Sequence, residues 1–246
     1  MKSLAVILMG TGACFATPAF AQNSWTGEGS FSASASTGNT ETTHVGLGLK
    51  LNYETGRWEY GLNTSADYGE TDGSETENRF LIAGNVDAQL RDRLFGYGQA
   101  SYEADEFSGF ESRIFAGVGL GYDIFDSEKT KWQIRGGPGI KIDEVRPVVT
   151  NGVVTTPGET EESFSVLGKS DFSYIFNENV SFTNATTGIY ASESTQFTNT
   201  TALTASLTNT LSARVSFDVR HDTNPPEGFE ATDTTTKVSL VYKLGE

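Results

Sequence analysis

Residues 43–68, THVGLGLKLNYETGRWEYGLNTSADY, contain the pattern from which the fold of this chain can be predicted. Apolar side chains occupy every second position over residues 45–53 and again, with two small residues in the series, over 58–68, while polar residues and glycine fill the positions between. A period of two is typical of β-strands with one apolar face. Thr55 and Gly56 interrupt the alternation and provide a tight turn. The stretch therefore predicts a hairpin of two long antiparallel strands.

The same alternation continues from Ser24 to the end of the chain, and no segment of comparable length has helical spacing. It predicts twelve strands. They cover roughly residues 24–37, 43–54, 57–69, 78–90, 93–105, 110–125, 130–143, 162–175, 179–192, 196–208, 211–222 and 234–244. The stretch from Ser192 to Thr210 is rich in Ser and Thr, and we interpret residues 196–208 within it as a weak strand.

Strand length separates the two all-β alternatives. Strands of soluble sandwiches commonly have about 5–6 residues, whereas a tilted membrane-spanning strand needs about 9–11. Most predicted strands here are longer than either value. Tight turns alternate with longer polar connections such as residues 70–77, 144–161 and 223–233, which is the layout of outer-membrane barrels. The sequence predicts an all-β, transmembrane antiparallel up-and-down β-barrel of about 12 strands, with both termini at the periplasmic, short-turn end.

In such a barrel the apolar face contacts lipid and the polar face lines the lumen. The predicted lumen face consists of Gly, Ser, Thr and charged residues. Its candidate lining residues are Lys50, Asp87, Asp123, Lys141, Lys169, Asp171, Arg214, Asp218 and Arg220. Two interpretations remain open: these charges line a pore for small polar or ionic solutes, or they pair across the lumen and plug it.

Aromatic residues at the strand ends predict girdles at the two membrane interfaces. Trp25, Trp58, Trp132 and Tyr242 are the candidates for the girdle at the short-turn end. Tyr68, Phe80, Tyr102, Phe164, Tyr190 and Phe197 are expected to form the other girdle.

The first 21 residues have the features of a secretory signal peptide. Lys2 is followed by an apolar stretch, and Ala19-Phe20-Ala21 provides a small-x-small cleavage pattern before Gln22. Cleavage is expected to leave residues 22–246 as the outer-membrane β-barrel. Because Cys14 is the chain's only cysteine, no disulfide is expected after cleavage. The formal net charge of -15 argues against a nucleic-acid partner.

Several short motifs resemble a known family, the salt-induced outer-membrane proteins of Gram-negative bacteria, which is defined by a domain of unknown function. The similar positions are Trp25-Thr26-Gly27, Ser36-Thr37-Gly38-Asn39-Thr40, Asp105-Glu106-Phe107 leading to Arg113, Gly117-Val118-Gly119-Leu120-Gly121-Tyr122, Gly136-Gly137-Pro138-Gly139, and Asp222 with Pro225-Pro226-Glu227-Gly228 and Asp233. The resemblance implies an outer-membrane location and a barrel. It implies no established activity. Expected partners are outer-membrane lipid, lipopolysaccharide and the barrel-assembly machinery, and we expect a monomer.

Catalytic chemistry has little support in the sequence. His44 and His221 are the only histidines, and both fall near the long-loop end. A lipid hydrolase would need a serine beside one of them, and Ser192 and Ser194 are the serines at a similar height. The acidic stretch of residues 70–77 lacks the ligand spacing of a calcium loop, and the scarcity of Cys and His argues against zinc or iron.

We therefore expect a non-enzymatic protein without cofactors. It is either a narrow channel or a structural protein of the cell envelope under osmotic stress. An adhesion protein that binds through loops such as residues 144–161 is the first alternative, and a lipid-modifying barrel enzyme is the second.

Overall fold

A computed structural model describes residues 24–36, 42–150, 153–226 and 228–245 of the chain. The predicted signal peptide lies outside the described residues, as do residues 37–40 and Glu227, which belong to two of the family motifs. The described part of the chain contains strands, turns and bends. It contains no helix long and apolar enough to cross a membrane.

Fourteen strands are present in the described residues. Their bounds are β1 (Ser24–Ser36), β2 (Thr42–Thr55), β3 (Trp58–Thr71), β4 (Ser74–Arg91), β5 (Leu94–Asp105), β6 (Phe110–Asp126), β7 (Thr130–Val145), β8 (Val148–Thr150), β9 (Val153–Thr156), β10 (Glu159–Asn177), β11 (Val180–Ala191), β12 (Gln196–Ser206), β13 (Leu211–Asp222) and β14 (Thr232–Leu244).

Twelve of these strands form a closed antiparallel barrel, as predicted. Sequential strands pair around the wall in the order β1, β2, β3, β4, β5, β6, β7, β10, β11, β12, β13 and β14, and β14 pairs with β1 to close it. Strand lengths from 11 to 19 residues are sufficient to span a bilayer obliquely. Because the sheet closes on itself, no edge strand of the barrel is left with unpaired backbone groups.

Two of the predicted long connections were wrong in detail. Residues 70–77 do not form a long loop, because β3 and β4 continue to a two-residue turn at Asp72-Gly73. Both residues have positive φ, 51° and 76°, which is the backbone of a type I′ turn, and Asp-Gly is a preferred sequence for it. Residues 144–161 contain the ends of β7 and β10 together with a separate β8–β9 hairpin.

The apolar side of the sheet faces outward. Leu47, Val118, Ile140, Leu120 and Val238 are between 56% and 63% exposed, although each lies in the middle of a long strand. Soluble monomers rarely expose contiguous apolar patches of more than a few hundred Å², so an outer face with exposed apolar side chains in the middle of its strands is suited to contact with lipid. The outer wall is therefore the membrane-contacting surface.

The lumen face differs from the prediction in one respect, because it also holds large apolar side chains. Phe95, Tyr97, Phe115 and Leu167 are the buried members of one cluster on β5, β6 and β10, and Ile189 packs against it. The sequence pattern did not reveal them, since each lies on a strand whose outward face is also apolar.

Glycines on β6 and β7 make room for these rings. A Cβ atom at Gly117 or Gly139 would lie within 2.7 Å of the Phe115 ring, and one at Gly119 would lie 2.8 Å from the Tyr97 hydroxyl oxygen. At Gly121 it would collide with the Phe95 ring. The glycine-rich run is therefore a surface on which luminal aromatic rings pack, and no helix follows it as a phosphate loop would require.

Candidate functional site

The barrel lumen is the candidate functional site, and the nine candidate lining residues all occupy inward-facing positions. The pairing registers show which face of the sheet each side chain occupies. Each candidate is either paired across strands with an inward-facing residue or lies an even number of positions from one on its own strand. The rows are Glu28↔Lys50, Arg135↔Lys169 and Asp123↔Gln133, and the other positions follow from the alternation along β4, β7, β10 and β13.

Near the long-loop end, ion pairs cross the full width of the lumen. Arg220 on β13 donates to Asp105 on β5 at 2.9 Å and also contacts Glu103. Glu103 in turn accepts from Arg79 on β4 at 3.1 Å. Since β13 and β5 are six strands apart in a twelve-stranded barrel, these side chains meet from opposite walls.

A second bridge lies beside the first. Arg113 on β6 donates to Asp222 on β13 over 2.5 Å, five strands away in the barrel order. Its guanidinium also stacks on the Phe110 ring, 3.3 Å from the ring centroid. Arginine is suited to this position because its planar fork can pair with a carboxylate and stack on a ring at the same time.

The connection between β11 and β12 folds inward and completes this layer. The Ser194 hydroxyl donates to Asp222 at 2.5 Å, and its carbonyl oxygen accepts from the Lys141 ammonium at 3.2 Å. Lys141 also pairs with Asp143 at 2.7 Å, and the two side chains are only 4% and 2% exposed. We name Glu103, Asp105, Arg113, Lys141, Asp143, Ser194, Arg220 and Asp222 the mouth layer.

The bridges require a flattened cross-section at this level. Twelve strands about 4.8 Å apart and tilted by about 40° close a round barrel about 24 Å across. An arginine and an aspartate that meet end to end span roughly 14 Å between their Cα atoms. The walls that carry Arg220 and Asp105 are therefore much closer together than those of a round barrel.

The short-turn half of the lumen has ion pairs that do not cross it. Arg214 forms a two-pronged pair with Glu28, both hydrogen bonds being 2.8 Å long, between strands only two positions apart. Lys169 pairs with Asp171 on its own strand at 3.1 Å, and these two side chains are 31% and 35% exposed. These two pairs thus remain accessible to water, unlike Lys141 and Asp143.

One polar cluster on the lumen wall is built against the aromatic rings. Arg135 pairs with Asp87 through hydrogen bonds of 3.3 and 3.1 Å, and its guanidinium lies 5.3 Å from the Phe95 ring centroid and 5.4 Å from that of Tyr97. Asp123 accepts from Gln133 at 3.0 Å beside it. The Arg135 and Asp87 side chains are only 8% exposed, so this part of the lumen wall is closely packed.

The remaining predicted lining residues line the wall without crossing the lumen. The Asp218 carboxylate accepts from Thr200 at 2.6 Å on the neighbouring strand. Lys50 is exposed, next to Glu28 at the short-turn end.

The two histidines point to opposite sides of the wall. His44 faces the lumen, with Nδ1 2.9 Å from a Glu77 carboxylate oxygen. His221 faces outward, and its Nδ1 is 2.8 Å from the Thr232 hydroxyl. Within the described residues neither histidine hydrogen bonds a serine, since Ser192 donates to Glu193 and Ser194 to Asp222. Ser192 and Ser194, the serines predicted for a lipid hydrolase, therefore form no serine–histidine pair among the described residues.

The residues predicted as the girdle at the short-turn end all face outward. Trp25 stacks on Tyr53 at a centroid distance of 4.6 Å, and Trp58 is exposed with the Arg57 guanidinium 5.2 Å from its ring centroid. The Trp132 indole donates to Ser170 at 3.0 Å. Tyr242 is exposed on β14. Among the described residues, no group of His, Cys, Asp and Glu has an arrangement suited to a metal ion.

Comparison with known proteins assigns the chain to a family. The family model described as "Protein of unknown function, DUF481" matches residues 29–244. The chain belongs to this family. A relative in Escherichia coli strain K12, the "Uncharacterized protein YdiY", is 22% identical over 230 residues, which cover 92% of this chain and 86% of that protein.

Solved structures with a similar fold are outer-membrane barrels. The translocator domain of the autotransporter NalP from Neisseria meningitidis has a TM-score of 0.52 at 10% identity, covering 90% of this chain and 88% of that one. The COG4313 outer membrane channel from Pseudomonas putida F1 has a TM-score of 0.53 at 11% identity, covering 96% and 100%. At such low identity these similarities establish the fold of this DUF481 member.

Sequence reasoning missed part of the mouth layer. Glu103 and Asp143 are not among the predicted lining residues, although each has the inward parity of its strand and an acidic side chain. Asp105, Arg113 and Asp222 are predicted only as parts of family motifs. Their pairing could not be found from the sequence, because the two residues are 109 positions apart and belong to strands that do not pair.

Proposed function

We propose that this protein is an integral outer-membrane protein of a Gram-negative bacterium and forms a narrow, non-enzymatic channel for small polar or ionic solutes. In its resting state the mouth layer closes the channel at the long-loop end. The outward apolar wall and the similarity to outer-membrane barrels support the location. The similarity to an outer membrane channel supports transport as the class of activity.

The proposal rests on one observation, the kind of groups that close the lumen at the mouth layer. Arg220 and Arg113 reach across the lumen to Asp105 and Asp222, so side-chain ion pairs, rather than a strand or helix among the described residues, cross the mouth. Long arginine side chains can change rotamer on a timescale much shorter than backbone rearrangement. Below this layer the Arg214–Glu28 and Lys169–Asp171 pairs are solvated, as in the vestibule of a channel for ions or polar solutes, whereas the Arg135–Asp87 pair is buried against the Phe95 and Tyr97 rings.

Single-channel recording in planar lipid bilayers tests the proposal. The wild-type protein is compared with the double variant Arg113→Gln/Arg220→Gln, which removes both lumen-crossing bridges. Arg214→Gln is the matched control, because it removes a two-pronged arginine–carboxylate pair that spans only two neighbouring strand intervals. Heat-modifiable migration on a detergent gel establishes that each protein is folded before recording.

We expect small or infrequent steps from the wild type and from Arg214→Gln, and a several-fold larger conductance or open fraction from the double variant. If all three folded proteins leave the bilayer at its lipid baseline, the barrel is a closed structural protein and the proposal is wrong. If Arg214→Gln raises conductance as much as the double variant does, the mouth layer is not the barrier.

A further inference from the structure

Four polar side chains lie on the lipid-facing side of β11 and β12. Asn184 pairs with Thr201 in the register between these strands, and Thr186 pairs with Asn199. Their neighbours Ala185 and Thr200 belong to the inward-facing rows, since Thr200 donates to the luminal Asp218. We name Asn184, Thr186, Asn199 and Thr201 the outer-wall polar patch.

The patch lies at the depth of the hydrocarbon. On the short-turn side it is bounded by Phe182 and by Leu203 opposite it. Phe182 packs edge-on to Phe172 at 6.2 Å, and Phe172 packs edge-on to Trp132 of the girdle at 6.3 Å. On the long-loop side it is bounded by the exposed aromatic rings of Tyr190 and Phe197. Both residue pairs of the patch thus fall inside the apolar band of the wall.

The four side chains form one hydrogen-bonded network. Asn184 Nδ2 donates to Thr201 at 2.8 Å and to Asn199 at 3.4 Å. Asn199 Nδ2 donates to Thr186 at 2.7 Å. The two threonine hydroxyls donate to the amide oxygens, Thr186 to Asn184 at 3.2 Å and Thr201 to Asn199 at 3.0 Å.

This network uses both amide hydrogens of Asn184 but only one of Asn199. Among the described residues no acceptor binds the second Asn199 hydrogen, and each threonine oxygen keeps a lone pair. Lipid chains offer no hydrogen-bonding groups, so a polar patch at this depth is matched only by another polar surface. A surface that carries both donors and acceptors is complementary to itself.

Two glycines beside the patch allow a close approach. Gly168 and Gly188 are paired on the outer wall of β10 and β11, and a Cβ atom at Gly168 would meet nothing within 4 Å, while at Gly188 the nearest atom would be 4.0 Å away. They leave a shallow depression between the patch and the Tyr190 ring. Small residues at such positions let two membrane-embedded walls pack closely.

We propose that the outer-wall polar patch binds the same patch of a second copy of this chain, forming a two-fold symmetric dimer in the membrane in place of the monomer expected from the sequence. All copies insert in the same orientation, so a two-fold axis along the membrane normal brings their patches together at equal depth. A different partner would need its own polar patch at that depth. A two-fold interface uses one surface twice, which suits a self-complementary patch.

Cysteine crosslinking in reconstituted lipid vesicles tests the contact. Cys14 is the only native cysteine and lies in the predicted signal peptide, so Asn199→Cys or Thr201→Cys introduces a unique thiol in the barrel. Thr64→Cys is the matched control, because Thr64 is also a half-buried threonine on the outward face, on β3 across the barrel. Oxidation is expected to give disulfide-linked dimers from the patch variants and monomers from the control.

A second measurement keeps the inference testable if a thiol fails to form the bond. Asn184→Leu/Asn199→Leu should weaken self-association at least tenfold in detergent sedimentation. Each hydrogen bond between membrane-embedded surfaces contributes modestly, and the double variant removes several of them. Thr64→Leu should leave self-association unchanged. The inference is overturned if the folded wild type is monomeric at all protein-to-detergent ratios. Equal dissociation constants for wild type and double variant, equal crosslinking at Thr64, or crosslinking only to another protein would also overturn it.

Discussion

Replacement of Gly137 by alanine is the sharpest test of the inner wall. A Cβ atom at this position would lie 2.6 Å from the Gly119 Cα on the neighbouring strand and closer still to the Val118 carbonyl oxygen. Both atoms belong to the backbone, so no side-chain rotation relieves the collision. Val118 and Gly119 also have no ladder partner on β7, although the register is the same on both sides of them, and Val118 lies opposite Pro138, which has no N–H to donate.

The free-energy cost follows from that distance. Two carbon atoms prefer a separation of about 3.5–4.0 Å, so β6 and β7 must move apart by about 1 Å. Overpacking a well-packed interior costs typically 1–3 kcal/mol, and because the obstacle here is backbone we expect a value near the upper limit, about 3 kcal/mol. Gly29 is the control, since it lies on β1 where a Cβ atom would meet nothing within 4 Å.

Urea unfolding in lipid vesicles, followed by tryptophan fluorescence and by heat-modifiable migration, measures both changes. Gly137→Ala should lower the free energy of unfolding by about 3 kcal/mol, whereas Gly29→Ala should leave it unchanged or raise it by up to about 1 kcal/mol, because alanine restricts the unfolded chain. Equal free energies for the two variants would refute the close approach of β6 and β7.

Two further outcomes are expected. Leu167→Ala should reduce the free energy of unfolding by about 2–5 kcal/mol, because it leaves a cavity in the luminal cluster. Val166→Ala, on the lipid-facing side of the same strand, should reduce it much less because lipid fills the space. Similar losses for the two variants would argue against an inward Leu167. The fluorescence of Trp25, Trp58 and Trp132 should be quenched more by lipids labelled near the headgroup than by lipids labelled at the chain end, and the reverse order would contradict the girdle.

The alternation of residues was sufficient to predict the barrel, because side-chain direction in a strand depends only on position parity. Val45, Leu47 and Leu49 could be assigned to one face without any knowledge of their neighbours. Strand number and closure followed, since a sheet with a lipid-facing side tolerates no edge. Parity likewise placed Lys141 and Arg220 on the lumen face.

Contacts between strands that do not pair could not be predicted in this way. Whether Arg220 is a free luminal charge or a bridge to Asp105 depends on the width and flattening of the barrel, which result from the packing of all twelve strands. The same holds for Phe115, which fits the lumen only because Gly117 and Gly139 lie beneath its ring.

Local periodicity was sufficient to predict the strands, their two faces and the class of membrane barrel. The closed sheet was needed to show that ion pairs cross the lumen near the long-loop end and that Asn184 and Asn199 meet on the lipid-facing wall. Both features join residues through register and curvature, which are properties of the closed sheet as a whole.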